Sequence, residues 1–518
     1  MERMDGNLMH SNLYTFSFRG DSDTMRYKDT VIKAAKVVIF ALVMVSFLIQ
    51  LTYVYRGGLS HTRANICGFY AEKKNSLDIV IIGTSSTFSA FMPMEFWGSH
   101  GITAYDMCTN VLFENAIKYH VREMKKTQNP KLLIIDTAPF LYGHNSESLA
   151  EEEAYLRFNT DSFSLSKNRM DMIDEFIPEN SRLDYYLDLI YYHGNKNPST
   201  KYLLNKHKNE RKGYNNLEQK DSFDESEFAL AWEPLKLPER DDAYFIELLE
   251  ELRAFEGEIL FVEQPVFYTE ASRAMCSHSE YMENKIKEYG YDYLDLSKVR
   301  DEIGIDSRLG YAFGIHFNAY SAEKITNYVA DYIATNYDLE DHRGNPKYRD
   351  WQMEYEQWQS IKEAEKDLTE SQWMAHFQEA DLFGYSGYLQ SDYFSSCVYI
   401  PADSKVWWND GVLERLRKNG AHLTAGMNTD YFIIYDHSSG SVMEAAGKEK
   451  MDFNSAFGYV EYSNLEDSPR LFINGGGNNY LEGDNGGIHI ILINKSTEEI
   501  VDNVCFDYNG EQKVQRNE

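Results

Sequence analysis

A serine stands where an α/β sheet presents its reactive groups. The apolar run LDIVIIG (77–83) leads directly into Thr84, Ser85, Ser86 and Thr87. A hydroxyl just past the C-terminal end of a parallel strand lies in the crevice where such sheets bind ligands. A helix starting there aims unpaired backbone N–H groups at developing negative charge, so the chemistry on offer is nucleophilic attack with a backbone-held oxyanion. The same four residues also suit a plain Ser/Thr loop capping a helix, and the local pattern leaves both readings open. Other tempting residues have blander accounts. Met92, Met94 and Met107, beside aromatics, read as core packing. His437 reads as a solvated residue in a hairpin turn, and Glu151, Glu152 and Glu153 as a solvated helix start. Cys108 is a second nucleophile by type, but nothing around it in sequence lowers its pKa.

The elements that must position Ser85 follow an α/β pattern from Leu77 to about Tyr337. Short apolar runs, LDIVIIG (77–83), ITAYDM (102–107), KLLIIDTA (131–138), EILFVEQP (258–265) and DYLDL (292–296), alternate with amphipathic segments. Continuous apolarity suits parallel strands covered on both faces. Ile117, Val121 and Met124 keep helical spacing, as do Ala322, Ile325, Val329, Tyr332 and Ile333, with Ser321 as the candidate N-cap. The insertion 139–245 reads as irregular helices over one end of the sheet. Trp351, Tyr355, Trp358, Ile361 and Leu368 form an approximate helical stripe within the charged stretch 341–376. Past Phe377 the pattern changes to period two with Gly-Asn-Asp turns, which predicts a β-rich region. In it, 431–446 and 488–506 each read as strand, polar turn and strand.

The chain has 518 residues, enough for two globular units and an anchor. Its formal charge of −31 argues against a nucleic-acid partner, which needs clustered Lys and Arg. The five cysteines, at 67, 108, 276, 397 and 505, lack metal-ligand spacing, and an odd scattered set argues against a disulfide framework. No cofactor is expected. Such a composition suits a bacterial surface protein. The run VVIFALVMVSFLIQLTYVY (37–55) is long enough to span a bilayer, with Tyr53 and Tyr55 at the position of an aromatic belt. A long preceding region and the lack of a small-residue cleavage site favour an uncleaved single-pass anchor over a signal peptide. Arg26, Lys28, Lys33 and Lys36 precede the span while Arg56 and Arg63 follow it, a mild bias toward a cytoplasmic N-terminus and an extracellular bulk. The expected layout is a cytoplasmic tail (1–30), an anchor (31–56), an α/β domain (60–338), a helical linker (339–377) and a β-rich domain (378–515).

The stretch DIVIIGTSSTFSAFMPMEFW (78–97) resembles block I of the SGNH/GDSL hydrolases, in the version where Gly-x-Ser-Ser replaces Gly-Asp-Ser. It is similar to the envelope branch that contains DltD-like and alginate-acetylation proteins. GIHFNAYSAEKIT (314–326) resembles the block-V loop before the final helix, and GITAYDMCTN (101–110) occupies the place of block II. The resemblance implies an SGNH-type parallel sheet flanked by helices, Ser85 as nucleophile, His316 as general base and the Cys108 N–H as an oxyanion donor. Two departures stand out. The aspartate usual three residues before the histidine is Phe313, and the block-II glycine is Cys108. Losing the aspartate from a Ser-His-Asp system costs roughly 10⁴ in rate. Asp306 could stand in for it, or a backbone carbonyl could support a Ser-His pair. Block III is not recognisable, and Asn110 is the nearest side-chain oxyanion candidate.

The run GGIHIILINKSTEEIVDNVCFD (486–507) resembles the end of the interleukin-like EMT inducer (ILEI/PANDER-like) domain, with Gly487, Ile488, Val501, Asp502, Phe506 and Asp507 matching. YFIIYDHSSGSV and the turn NGGGNN (474–479) suit the same family. That resemblance implies a β-rich, sandwich-like module and a glycan-binding role, for which Trp407 and Trp408 are candidate stacking platforms unless they are core. Together these readings predict a membrane-anchored, outward-facing serine esterase or O-acyltransferase acting on acyl esters of cell-envelope polysaccharide. The alternative is a catalytically inactive SGNH-fold adaptor that binds glycan for a membrane-bound acyltransferase.

Overall fold

The computed structural model describes residues 20–56, 60–218, 233–265, 276–306, 308–391, 393–465, 468–475, 479–481 and 487–506. Residues 1–19 of the expected tail, 476–478 of the NGGGNN turn and Asp507 lie outside them. The described residues divide into two compact units.

The first unit joins the N-terminal helix to residues 187–205. The helix runs from Gly20 to Arg56, so it begins ahead of the expected anchor boundary. Its stretch Tyr27–Arg56 is long and apolar enough to cross a membrane, and the apolar side chains from Val37 to Leu48 are exposed. The last carbonyls of a helix have no partner within it. Here the Ser199 N–H donates to the Val54 carbonyl at 3.0 Å, and the Asn195 side-chain amide donates to the Tyr55 carbonyl at 2.9 Å. Arg56, buried at the helix end, pairs with buried Asp188. Of the insertion expected at 139–245, residues 187–205 group with the N-terminal helix in this unit.

The second unit contains five parallel strands: β1 (Ile79–Ile82), β2 (Ala104–Asp106), β3 (Leu132–Asp136), β4 (Glu258–Glu263) and β5 (Asp292–Asp295). They are arranged β2-β1-β3-β4-β5. The apolar runs form strands because both faces are covered. Val80 and Ile82 pack with Leu133, Ile135 and the helix Ile117–Met124. Ile79 and Ile81 face the other way, toward Ile134, Ile325 and Val329. A short hairpin follows, β6 (Tyr311–Phe313) and β7 (His316–Phe317), joined by Gly314 at φ +50°. It feeds the helix Ala319–Asn336, whose N-cap is Asn318 and not Ser321. The Asn318 side chain accepts from the Ser321 N–H at 3.2 Å, while Ser321 is buried inside the first turn.

The helix Arg349–Glu379 carries buried Trp351 and Trp358, but Leu368 of the expected stripe is 49% exposed. Lys362 takes a buried place instead, pairing with Glu323 at 2.6 Å and Glu95 at 3.1 Å. Beyond it come β8 (Phe394–Ile400), β9 (Tyr431–Asp436), β10 (Ser441–Ala446), β11 (Lys450–Ser455), β12 (Gly458–Ser463), β13 (Arg470–Ile473), β14 (Ile488–Asn494) and β15 (Ile500–Phe506). An antiparallel sheet, β10-β9-β8-β14-β15, places one expected hairpin on each side of β8. One face packs on the sheet β11-β12-β13 through Phe432, stacked 4.3 Å from Tyr462. The other packs on helical residues, including Trp373, Phe377 and Leu416.

Asn318 locks the hairpin as well as the helix: its N–H donates to the Gly310 carbonyl and its amide to the Leu309 carbonyl. Asn318→Ala should therefore lower the unfolding free energy by about 1–3 kcal/mol, measured by urea titration.

Candidate functional site

Strand order reverses between β1 and β3, and an open α/β sheet binds ligands at the carboxyl ends of the strands beside such a switch. β1 ends at Ile82, and the chain turns through Gly83 and Thr84 into the helix Ser85–Ala90. A Cβ on Gly83 would stand 2.2 Å from Thr87 Oγ1 and 2.7 Å from Asp136 Cβ, so the close turn admits only glycine.

Asp136, the last residue of β3, is buried and anchors that turn. One carboxylate oxygen accepts from the Thr87 hydroxyl and, at 3.2 Å, from the Thr84 hydroxyl; the other accepts from the Ala138 N–H at 3.0 Å. The Thr84 N–H donates to Thr87 Oγ1 at 3.0 Å. Burial raises the Asp136 pKa above the ordinary carboxylate value, while these hydrogen bonds pull it down. Sequence reading passed over Asp136 as part of a strand. The available signal was its place at the end of the strand that neighbours β1.

Ser85 Oγ lies 2.8 Å from His316 Nε2. His316 comes from the opposite side, on β7, whose Phe317 N–H donates to the Ser89 hydroxyl at 3.2 Å. The His316 Nδ1 is 3.2 Å from the Phe313 carbonyl oxygen. A carbonyl only accepts, so Nδ1 carries the proton and Nε2 offers its lone pair to the Ser85 hydroxyl. Burial lowers the His316 pKa below its ordinary 6.5, with the Phe313 carbonyl partly opposing. The imidazole is thus neutral at pH 7 and ready to accept a proton. Ser85 and His316 are both partly accessible, whereas Thr84, Ser86, Thr87 and Ser89 are buried.

The structure separates the other candidates from this pair. Asp306 does not orient the imidazole: its Oδ1 accepts from the Arg308 N–H at 2.9 Å and the Leu309 N–H at 2.7 Å, forming a turn. The Phe313 side chain packs at a tilt of 38° against the ring it would have to polarise, with centroids 4.4 Å apart. The Cys108 thiol is buried, points at the Ile81 carbonyl and has its pKa raised by burial, which removes it as a nucleophile. Met107 and Thr109 donate their N–H groups to the Ile81 and Gly83 carbonyls, and the Cys108 N–H between them stays out of that pairing. The Asn110 N–H donates to Thr62 at 2.8 Å, and its Oδ1 is buried without a partner. His437, in its hairpin turn, is half-buried, with its ring 3.3 Å from the Leu389 carbonyl. Met92, Met94 and Met107 are core.

Two further observations frame the pair. Glu263, at the end of β4, accepts from Ser279 at 2.7 Å and from Tyr293, and burial followed by the charge of Asp295 pushes its carboxyl up to about 8. A cavity of about 530 Å³ lined by Lys73, Lys212 and Trp351, and another of about 380 Å³ lined by Pro130 and Tyr337, include neither Ser85 nor His316. Among the described residues there is no cluster of His, Cys, Asp and Glu able to hold a metal ion.

Comparison with known protein families, curated proteins and solved structures finds no match.

Because burial disfavours the imidazolium, His316 should titrate below 6.5 when followed by NMR. Its protonation costs folding free energy, so stability attributable to this group should fall as pH drops from 6.5 through its folded pKa. A midpoint above 6.5 would contradict the assigned surroundings.

Proposed function

We propose that the chain is a membrane-anchored, outward-facing serine esterase or O-acyltransferase of the SGNH type, acting on acyl esters of cell-envelope polysaccharide. One observation carries the reading: the 2.8 Å contact from Ser85 Oγ to His316 Nε2, with Nδ1 tied to the Phe313 carbonyl. Ser85 Oγ attacks the acyl carbonyl as its proton passes to Nε2. The tetrahedral oxyanion is held by the backbone N–H groups of Ser85 and Cys108, with the Asn110 side chain as a further candidate after rotation of its amide. Collapse expels the alcohol, which takes the proton back from Nε2 and leaves acyl-Ser85. A water or sugar hydroxyl then gives its proton to Nε2 as it attacks the acyl carbon, and Ser85 Oγ leaves taking that proton back, which restores the hydroxyl and the neutral imidazole. The chemistry balances without a cofactor.

The long apolar helix supports anchoring. Lys28, Lys33 and Lys36, all exposed, precede the span, while Arg56 and Arg63 follow it with Arg56 paired to Asp188, a mild bias that favours a cytoplasmic N-terminus. Protease added to intact cells should then cleave within residues 60–506, and full protection of that region would reverse the orientation.

A second reading draws on Phe313 and Asp306. With no carboxylate on the imidazole, the imidazolium forming in the transition state lacks its usual stabilisation. The chain would then be an inactive adaptor that presents glycan to a membrane-bound acyltransferase. In its C-terminal region, read as ILEI-like, Trp408 of the two candidate platforms is 69% exposed over Gly426, whereas Trp407 is core.

Hydrolysis of a small activated acetyl ester separates the two. The enzyme reading expects Ser85→Ala to lose at least about 10³-fold in rate. It also expects Phe313→Asp to raise the wild-type rate. Equal rates for wild type and Ser85→Ala, on this ester and in a transfer assay with acyl donor and glycan acceptor, favour the adaptor.

A further inference from the structure

The apolar helix is wrapped at one end only. The uncharged run Val37–Tyr55 has about the length that a bilayer core demands, roughly 20 residues. Its free part ends at Leu48; from Ile49 to Arg56 the side chains are half-buried or buried. The wrapping is supplied by residues 187–205. Leu204 N–H donates to Gln50 Oε1 at 2.7 Å, Ser199 N–H to the Val54 carbonyl at 3.0 Å and Asn195 Nδ2 to the Tyr55 carbonyl at 2.9 Å. Helical rise puts Gln50 about 9 Å below Arg56 along the axis. If the whole uncharged run is needed to cross the bilayer, the segment wrapped around its last two turns must stand at lipid depth as well.

The outer surface of that segment has the matching chemistry. Leu187 is 55% exposed, Ile190 47%, Tyr191 48%, Leu203 46% and Leu204 68%. Leu204 has φ +61°, a left-handed conformation that a branched, bulky residue adopts only under constraint. Its amide is turned inward to Gln50 while its side chain is displayed outward. At the helix end Arg56 pairs with Asp188, and Ser199 and Asn195 donate to the Val54 and Tyr55 carbonyls, while Lys196 and Lys201 are exposed, as the polar side of an interfacial segment would be.

We infer that residues 187–205 form a membrane foot, a non-spanning segment seated in the phospholipid interface against the end of the anchor helix. This rests on reading the Tyr27–Arg56 stretch as a membrane span. Amphipathic segments at an interface bury their apolar face about 5–10 Å into the headgroup–acyl boundary, comparable with the roughly 9 Å between Arg56 and Gln50, the partner of Leu204. The foot makes the anchor a broad apolar base instead of a single rod.

The experiment uses the full chain in vesicles of phosphatidylcholine and phosphatidylglycerol, with a polarity-sensitive fluorophore on Leu204→Cys or, separately, on Val45→Cys. The native cysteines are buried, and the unsubstituted chain sets the labelling background. The expected result is that lipids carrying a nitroxide high on the acyl chain quench the Leu204→Cys probe about twofold or more, with little quenching by aqueous iodide. Deep-nitroxide lipids should quench the Val45→Cys probe. If Val45→Cys is quenched by lipid while Leu204→Cys is quenched by iodide alone, the anchor stands and the foot is wrong. If neither is quenched by lipid, both readings fall. A Leu204→Cys probe shielded from lipid and iodide alike, and cross-linking to a second copy or another protein, assigns the surface to a protein and overturns the lipid inference.

Discussion

Parallel pairing brings five strand ends to one edge, and the local chemistry descends from that alignment. With order β2-β1-β3-β4-β5, β1 and β3 lie side by side although their connections leave in opposite directions. Between them opens the crevice in which Ser85 follows one strand and Asp136 closes the other. The carboxylate of Asp136 binds the hydroxyls of Thr84 and Thr87 on either side of Ser85, so the serine is presented by a turn fixed on both flanks. The Asn318-capped helix and the Phe317–Ser89 contact bring the imidazole in from across the site. Remove the parallel alignment and these groups have no common edge.

What the imidazole does depends on its access as much as on its contacts. Thr109 and His120 repeat the same pattern elsewhere in this unit: hydroxyl to Nε2 at 3.1 Å, and Nδ1 to the Ala116 carbonyl at 3.1 Å. That pair is buried, and burial pushes His120 down to about 4. No substrate carbonyl can reach it. Ser85 and His316 differ in keeping a partly open face, the access on which the proposed chemistry depends.

The strands were legible because each is a continuous apolar run between turns, and Ser85 because it follows the first of them. His316 became visible only through family resemblance, since a histidine in Gly-Ile-His-Phe carries no local signature of its partner. Asp136 was missed because, within KLLIIDTA, nothing separates an anchoring carboxylate from a strand terminus; its role comes from β1 lying alongside. Leu368 and Lys362 exchanged places for a related reason. Helical spacing identifies a face, but Glu95 and Glu323 make a lysine the better buried residue. The assignment of 187–205 to the N-terminal helix was hidden altogether, as it depends on a pairing between Arg56 and Asp188 across a long stretch of intervening chain.

That discontinuity bears on how the protein can be handled. The N-terminal unit is made of two separate stretches, so no single cut releases it. A shortened chain beginning after residue 58 loses the helix but keeps residues 187–205. It leaves Asp188 without Arg56, the Ser199 and Asn195 donors without their carbonyls, and the leucines at 187, 203 and 204 with no helix behind them. Such a remnant is a sticky, unsatisfied surface that drives self-association. A soluble form needs residues 187–205 replaced by a short polar link as well as the helix removed.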